Sequence, residues 1–154
     1  EREVWLEYLK DYDLKIWGNA WQRAPKLKKN WQGKAAYAEE FCKICNASKI
    51  IVNIVRKQNI PAHNMRTFEV PACAGFMLAT RTEEQRGFFE EGKEADYFST
   101  AEELRQKIDF YLRNEELRKK VAETGYKKLL SADYSYIDRA KRILELFDFA
   151  ATRH

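Results

Sequence analysis

Apolar side chains recur along this chain in two alternating rhythms. Val4, Trp5, Tyr8 and Leu9 fall at helical spacing, which predicts an amphipathic helix over residues 1–10. Leu14-Lys-Ile-Trp17 reads as a short strand, stopped by Gly18-Asn19. Pro25, Gly33 and a cluster of lysines make residues 19–34 a long loop, with a brief strand near Asn30 to Gln32. Helical spacing returns from Ala35 to Ala47, where Tyr37, Phe41, Ile44 and Cys45 form the stripe expected to be buried.

The apolar run Lys49-Ile-Ile-Val-Asn-Ile-Val55 predicts a strand over residues 49–54, covered on both faces. A loop over residues 56–64 leads into a helix from about Met65 to Ala74, interrupted by Pro71 near its last turn and ended by Gly75. Residues 76–80 and 95–98 are further strands, and Thr82-Glu-Glu-Gln85 between them has capping-box spacing for a short helix. Ser99 or Thr100 caps a helix whose apolar positions include Leu104, Ile108 and Tyr111; residues 115–130 and 134–149 are two more helices. Strands alternating with helices at this spacing make a three-layer α/β sandwich around a mostly parallel sheet. Its strands are expected to point their carboxyl ends at one edge, with loops 18–34 and 55–65 side by side there.

The length of 154 residues fits one domain over residues 1–154 with a proper core. The longest apolar run falls far short of the ~20 residues of a membrane-spanning helix. The opening Glu-Arg-Glu-Val-Trp is unlike a signal peptide, and the absence of an initiator Met suggests an excised piece. Three cysteines make no disulfide framework, which points to a reducing cytoplasm. Cys42-x-x-Cys45 has ligand-pair spacing, but both fall in one regular helix, so small buried thiols explain them better than zinc and no metal is expected. The net charge of +4 is concentrated in Arg23 to Lys34, which holds five basic residues and no acid, flanked by Trp21 and Trp31. A solvated loop with its tryptophans packed on the core suits that run better than a nucleic-acid surface.

Candidate chemistry gathers where the strand over 49–54 hands over to the helix at 65. Open α/β sheets bind ligands at the carboxyl ends of their strands, and helix N-termini favour anions. Arg56, Lys57 and Arg66 supply cations there; His63, Asn64 and the amides of Met65 and Arg66 supply hydrogen-bonding groups. Glu69 lies three residues after Arg66, on the same helix face. It reads either as a helix-start carboxylate favoured by the dipole or as an acceptor for a pair of sugar hydroxyls. Gly18 ends the first strand at the same edge and offers bare backbone to a flat base. P-loop and Gly-x-Gly-x-x-Gly motifs are absent from the sequence.

The order Asn64-Met-Arg-Thr-Phe-Glu-Val-Pro-Ala-Cys-Ala-Gly-Phe76 resembles the core motif of the glycosyl-transferases-group-1-like domain. That domain forms the Rossmann-like, donor-binding C-terminal half of GT-B glycosyltransferases, among them the spore-maturation (CgeB-like) proteins. Tyr12 to Gly18, Tyr37 to Asn53, Glu90-Glu-Gly-Lys-Glu94 and Ser99 to Leu104 agree with it in order and spacing, so the likeness runs over residues 11–145. It implies glycosyl transfer from a nucleoside-diphosphate sugar, as donor substrate rather than cofactor, to an acceptor hydroxyl. It also implies an N-terminal acceptor domain that is not in this chain, without which the chain is expected to be inactive.

On the same likeness Glu69 accepts hydrogen bonds from the donor's ribose. Arg66, with Arg56 and Lys57, neutralises the leaving diphosphate; Asn64 and the Met65 amide hold sugar or phosphate oxygens; and His63 is a candidate acid. Two departures stand out. Pro61 occupies the position of the first glutamate in the Glu-x7-Glu pattern of many retaining relatives. In the family, moreover, a strand and glycine turn precede the helix at residues 1–10. These departures keep open a non-catalytic α/β binding module or degenerate transferase-like domain.

Overall fold

The structure is a computed structural model that describes residues 2–19, 21–34 and 37–151, without the side chains of residues 148–151. Helix α1 (Arg2–Glu7) is followed by strand β1 (Ile16–Trp17), two single 3-10 turns, and strand β2 (Trp31–Gly33). Helix α2 (Ala38–Ala47), strand β3 (Ile51–Asn53), helix α3 (Arg66–Ala72) and strand β4 (Met77–Thr80) come next. Helix α4 (Glu83–Phe88), strand β5 (Asp96–Phe98) and helices α5 (Ala101–Arg113), α6 (Glu115–Ser131) and α7 (Tyr136–Ala151) complete the chain.

All strand pairing is parallel, as the alternating rhythm predicts, but the described strands form two groups. β1 pairs with β2, with a bulge between Ile16 and Trp17. β3, β4 and β5 form a separate sheet in that order, with Ile51 opposite Met77 and Leu78 opposite Asp96. No strand pairing joins β1 to β3 among the described residues.

Successive side chains of a strand point to opposite faces. On one face of the three-stranded sheet, Leu78 and Phe98 pack with Leu6 of α1, with Leu9 just after it, and with Leu104, Ile108 and Tyr111 of α5. On the other, Met77, Ala79 and Tyr97 pack with Cys45 of α2, Val70 of α3 and Phe89. These are the outer layers of the expected sandwich, and the chain has the mixed α/β, Rossmann-like fold.

Local signals explain most boundaries. Thr82 Oγ1 accepts the Gln85 amide at 3.2 Å, as the capping spacing predicts. The Gln85 side chain bonds Thr67 Oγ1 (2.8 Å) and the Thr80 carbonyl (2.7 Å) instead of completing the box. Thr100 is the cap of α5, and Glu103 closes that box one residue further out, on the Ser99 amide at 2.7 Å. At the end of α3 the left-handed residue is Ala74, at φ 53°, and not Gly75. Gly75 instead lets Val70 and Cys45 come close, since a Cβ there would lie 3.2–3.3 Å from their side chains.

The expected stripe of α2 needs correction. Only Cys45 is fully buried; Phe41 and Ile44 are half-buried, and Tyr37 is exposed as the residue before the helix. The reason lies beneath the helix, where Phe41 and Ile44 line a cavity between β1 and β3.

Candidate functional site

The carboxyl ends of β1 and β3 open toward one another. Asn19 and Trp21, which follow β1, and Arg56 and Gln58, which follow β3, line one cavity of about 470 Å³ together with Arg2 and Arg23. Loops 18–34 and 55–65 are therefore neighbours, as expected. A larger cavity of about 810 Å³ runs beneath, and Gly18, Asn53, Arg56, Asn64 and Arg66 belong to its wall.

The junction of β3 and α3 is set by two asparagines. Asn53, the last residue of β3 and nearly buried, accepts a hydrogen bond on Oδ1 from Asn64 Nδ2 at 2.9 Å. Asn64 Oδ1 in turn accepts the Arg66 amide at 3.0 Å and so caps the entry to α3. This places Arg66 over the sheet edge, its guanidinium 4.1 Å from the centre of the Phe41 ring and hydrogen-bonded to Glu69. A cation over an aromatic face, held by one carboxylate, keeps its remaining N–H donors for an incoming anion.

The other candidates occupy distinct places. Gly18 has φ 142° and exchanges backbone bonds with the β2 side: its amide donates to the Gly33 carbonyl, and its carbonyl accepts Trp31 Nε1 at 2.9 Å. A Cβ at Gly18 would approach Trp21 Nε1 to 3.1 Å. Arg56 is exposed, lines both cavities, and its side chain has no hydrogen bond or ion pair among the described residues. Lys57 and Met65 are exposed and line neither cavity; Glu69 reaches the site through Arg66. The first-turn amide of Arg66 is already satisfied by Asn64, so it is not free for an anion.

His63 does not line the cavities. Its Nδ1 lies 2.6 Å from Glu84 Oε2, and its ring stands edge-on to Phe68 and Phe88. Trp21 packs on the core, Trp31 is bonded to Gly18, and Lys26 pairs with Glu7 at 2.7 Å.

The three cysteines are free thiols, and burial pushes Cys45 up to about 11 and Cys73 up to about 12, well above reactive values. Among the described residues no group of three or more His, Cys, Asp or Glu is arranged to hold a metal ion. No helix among them is long and apolar enough to cross a membrane.

Reading the chain for titratable groups overlooks Asn53, whose signal is a polar residue inside an apolar strand run. It overlooks Phe41 as well, which reads as plain core until Arg66 is seen above it.

A parallel α/β sandwich with polar groups converging at the carboxyl edge of its strands has the architecture in which open α/β folds place their ligand sites. The family model described as glycosyl transferase-like matches residues 2–145, and the chain belongs to that family. Among solved structures, the chain is similar to a glycosyltransferase from Rickettsia africae ESF-5, at 18% identity and a TM-score of 0.68. That match covers 94% of this chain, which spans 43% of the length of the Rickettsia protein. Comparison with curated proteins finds no match.

Proposed function

We propose that this is the donor-binding domain of a GT-B type glycosyltransferase. It would hold a nucleoside-diphosphate sugar at the carboxyl edge of β1 and β3, for transfer to an acceptor hydroxyl presented by another domain. The observation that carries the reading is Arg56: an exposed arginine that lines both cavities and has no acidic partner among the described residues, beside the site that Arg66 overlooks. The other arginine that follows a strand end, Arg81, is fully engaged by Glu91, Glu103 and the Tyr97 carbonyl. Free cations at a sheet's carboxyl edge suit a diphosphate, which gains charge as the glycosidic bond breaks and departs with the leaving group.

In this reading Arg56 and Arg66 take the diphosphate, and Asn64 keeps Arg66 in place. Glu69 accepts the ribose hydroxyls on its free oxygen, and the backbone at Gly18 lies against the base. His63, already engaged by Glu84, is assigned no part in the chemistry. Alignment of acceptor with donor supplies much of the rate of such a reaction, so the chain by itself is expected to bind donor nucleotide without transferring sugar.

The second reading, a degenerate binding module, is favoured by the closed Arg66–Glu69 pair and by Pro61. Calorimetric titration of UDP, GDP, ADP and TDP, with pyrophosphate alongside, decides between them. Arg56→Ala and Arg66→Ala should weaken nucleotide and pyrophosphate alike. Glu69→Gln should weaken only the nucleotide, by the 1.5–3 kcal/mol typical of a charge-assisted hydrogen bond, roughly. Absence of binding by all four nucleotides would favour the degenerate module.

A further inference from the structure

The basic run from Arg23 to Lys34 has no part in the donor reading, yet its backbone is ordered turn by turn. The Ala24 amide donates to the Trp21 carbonyl at 3.0 Å, Leu27 to Ala24 at 3.1 Å, and Asn30 to Leu27 at 2.9 Å. Ala24 and Leu27 are buried and pin these turns to the body, and the Asn30 side chain donates to the Leu14 carbonyl at 3.0 Å. A long connection held in this way presents its outward side chains at fixed places, which is how loops carry binding sites. Arg23, at the end of the first turn, is exposed and makes no side-chain hydrogen bond or ion pair among the described residues.

Three arginines from three segments line the cavity of about 470 Å³: Arg2 of α1, Arg23 of this loop and Arg56 after β3. The Arg2 guanidinium stands 5.8 Å from the centre of the Trp21 ring, and the indole face steadies it. Glu3 is the only acid lining the cavity among the described residues, and its carboxylate also attracts Lys26. Three arginines against one glutamate leave an excess of two positive charges. Like charges gathered around one space repel, and an anion that enters relieves the repulsion. A phosphate monoester carries a charge of about −1.5 to −2 at neutral pH and three strong acceptor oxygens, which suits both that excess and the forked guanidinium donors. A carboxylate would answer only half of the excess.

The lining separates this space from the place assigned to the diphosphate. Asn53, Asn64 and Arg66 line only the larger cavity, Arg23 and Gln58 only the smaller one, and Arg56 is shared. We propose that the smaller cavity is a second anion site, built on Arg23 with Arg2 and Arg56, which takes the phosphate of a phosphate monoester. The Asn19 and Gln58 amides in the same wall suit hydroxyls on the rest of that molecule. Under the donor reading, on which this last step alone rests, the monoester is the acceptor. The domain then holds the donor's diphosphate beside Arg66 and the acceptor's phosphate beside Arg23, and both are bound at once.

Glycerol phosphate is the probe, titrated by calorimetry at fixed ionic strength alongside inorganic phosphate. The ester should bind more tightly than inorganic phosphate, because its hydroxyls add contacts to the amides. Arg23→Ala should weaken the ester about tenfold or more, as the loss of a charge-assisted hydrogen bond does, and leave UDP affinity unchanged. Arg23→Lys keeps the charge without the fork and should recover only part of the loss. Lys28→Ala and Lys29→Ala, on the same loop but outside the cavity, should change little. Arg23 is exposed and unpaired, so its variants should melt with the parent.

That pattern, with the ester bound equally well by the chain saturated with UDP, sustains the proposal. Absence of ester binding, or inorganic phosphate bound as tightly as the ester, overturns it. A loss with Lys28→Ala equal to that with Arg23→Ala also overturns it, since only the field of a basic loop would then be acting. Displacement of the ester by UDP overturns it by making the smaller cavity part of the donor site. Ester binding that depends on Arg23, in a chain that binds none of the nucleotides, would sustain the anion site and remove the donor reading, so the two fail separately.

Discussion

The three-stranded and two-stranded halves of this molecule hold themselves together by different means. Around β4 and β5 every strand residue is buried, and the polar groups are paired with one another. Asp96 accepts Lys107 Nζ at 2.7 Å, the Tyr111 hydroxyl at 2.8 Å and its neighbour's amide. Arg81 joins Glu91 to Glu103, and Tyr97, fully buried, donates its hydroxyl to carbonyls of α4 and Phe89. Around β1 and β2 the strands are short, and α1 is tied to the body by Arg105 and Tyr12. These bond the Tyr8 carbonyl at 2.9 Å and Asp109 at 2.5 Å. Asn30 Oδ1 there is buried without a hydrogen-bond partner among the described residues. The difference teaches where function can be placed: the closed half supplies a rigid edge at β3, and the open half supplies space beside it.

The widest separation between the halves should come from truncating one core side chain in each. Leu78, fully buried in β4, should cost about 2–5 kcal/mol as Leu78→Ala, the usual range for such a change in a close-packed core. Ile16→Ala in β1 should cost clearly less, because Ile16 already borders the large cavity and its neighbours have unfilled space around them. Urea unfolding of both variants reads the difference. Equal losses would mean that the two halves are equally well packed.

A second contrast concerns close approach. In α6, Gly125 passes so near the β5 side that an added Cβ would sit 2.2 Å from the Glu94 carbonyl oxygen, a backbone atom. Gly125→Ala should therefore cost about 1–3 kcal/mol through forced backbone shifts. At Gly87 in α4 a Cβ meets nothing within 4 Å, and Gly87→Ala should be neutral or slightly stabilising. Thermal unfolding of the two alanine variants separates these outcomes, and a stable Gly125→Ala protein would show that α6 is free to slide.

Much of the closed half is legible in the sequence, because its signals are local. The apolar run ending at Thr80, the cap at Thr82 and the helix period of Leu104, Ile108 and Tyr111 each specify an element without knowledge of the rest. The open half is harder to read for a physical reason. Tyr37, Phe41 and Ile44 have the spacing of a buried stripe, but periodicity reports only a helix face suited to burial and not what covers it. The same limit applies to the site. Arg56, Asn64, Arg66 and Gly18 are found by looking at strand ends, and they line one cavity. Whether an arginine is free or engaged depends on long-range partners: Arg81 and Arg56 both follow strands, and only the fold shows that Arg81 is saturated with acids. The pairing of His63 with Glu84, separated by 21 residues, is equally invisible to spacing.

Acid should act on the closed half first. Arg81 beside it, with the Ser99 amide, holds the Glu103 carboxyl down to about 2, and Arg81 and Lys107 lower Glu91 as well. A carboxyl whose folded value is depressed binds its proton more readily once unfolded. Its stabilisation is therefore fully present above the ordinary value of about 4.5 and is lost as pH falls from there toward about 2. The melting temperature should drop across that window, and Glu103→Gln should flatten the drop while lowering stability near neutrality. An acid profile unchanged by Glu103→Gln would remove the Arg81 network from the account of the closed half.

The smallest effect is expected at the seam between the halves, where Asn64 joins Asn53 to the Arg66 amide. Asn64→Ala removes the cap of α3 and leaves the buried Asn53 without its partner, at a cost of about 0.5–2 kcal/mol. The loss should stay near the low end because Asn64 borders the cavity, where water can replace part of what it supplied. Asn64→Asp is the informative companion. It retains an oxygen for the Arg66 amide but presents an acceptor to Asn53 Oδ1. Asn53 can answer by turning its amide, since the nitrogen now engages only the weak acceptor Met77 Sδ at 4.0 Å. The aspartate variant should therefore keep most of the stability that alanine loses. A carboxylate in this position would, however, stand beside the proposed diphosphate and repel it. Stability retained with nucleotide affinity reduced would identify Asn64 as a cap chosen neutral for the sake of its ligand. Equal affinity in the asparagine and aspartate proteins would move the diphosphate away from this seam, toward Arg56 and the second cavity.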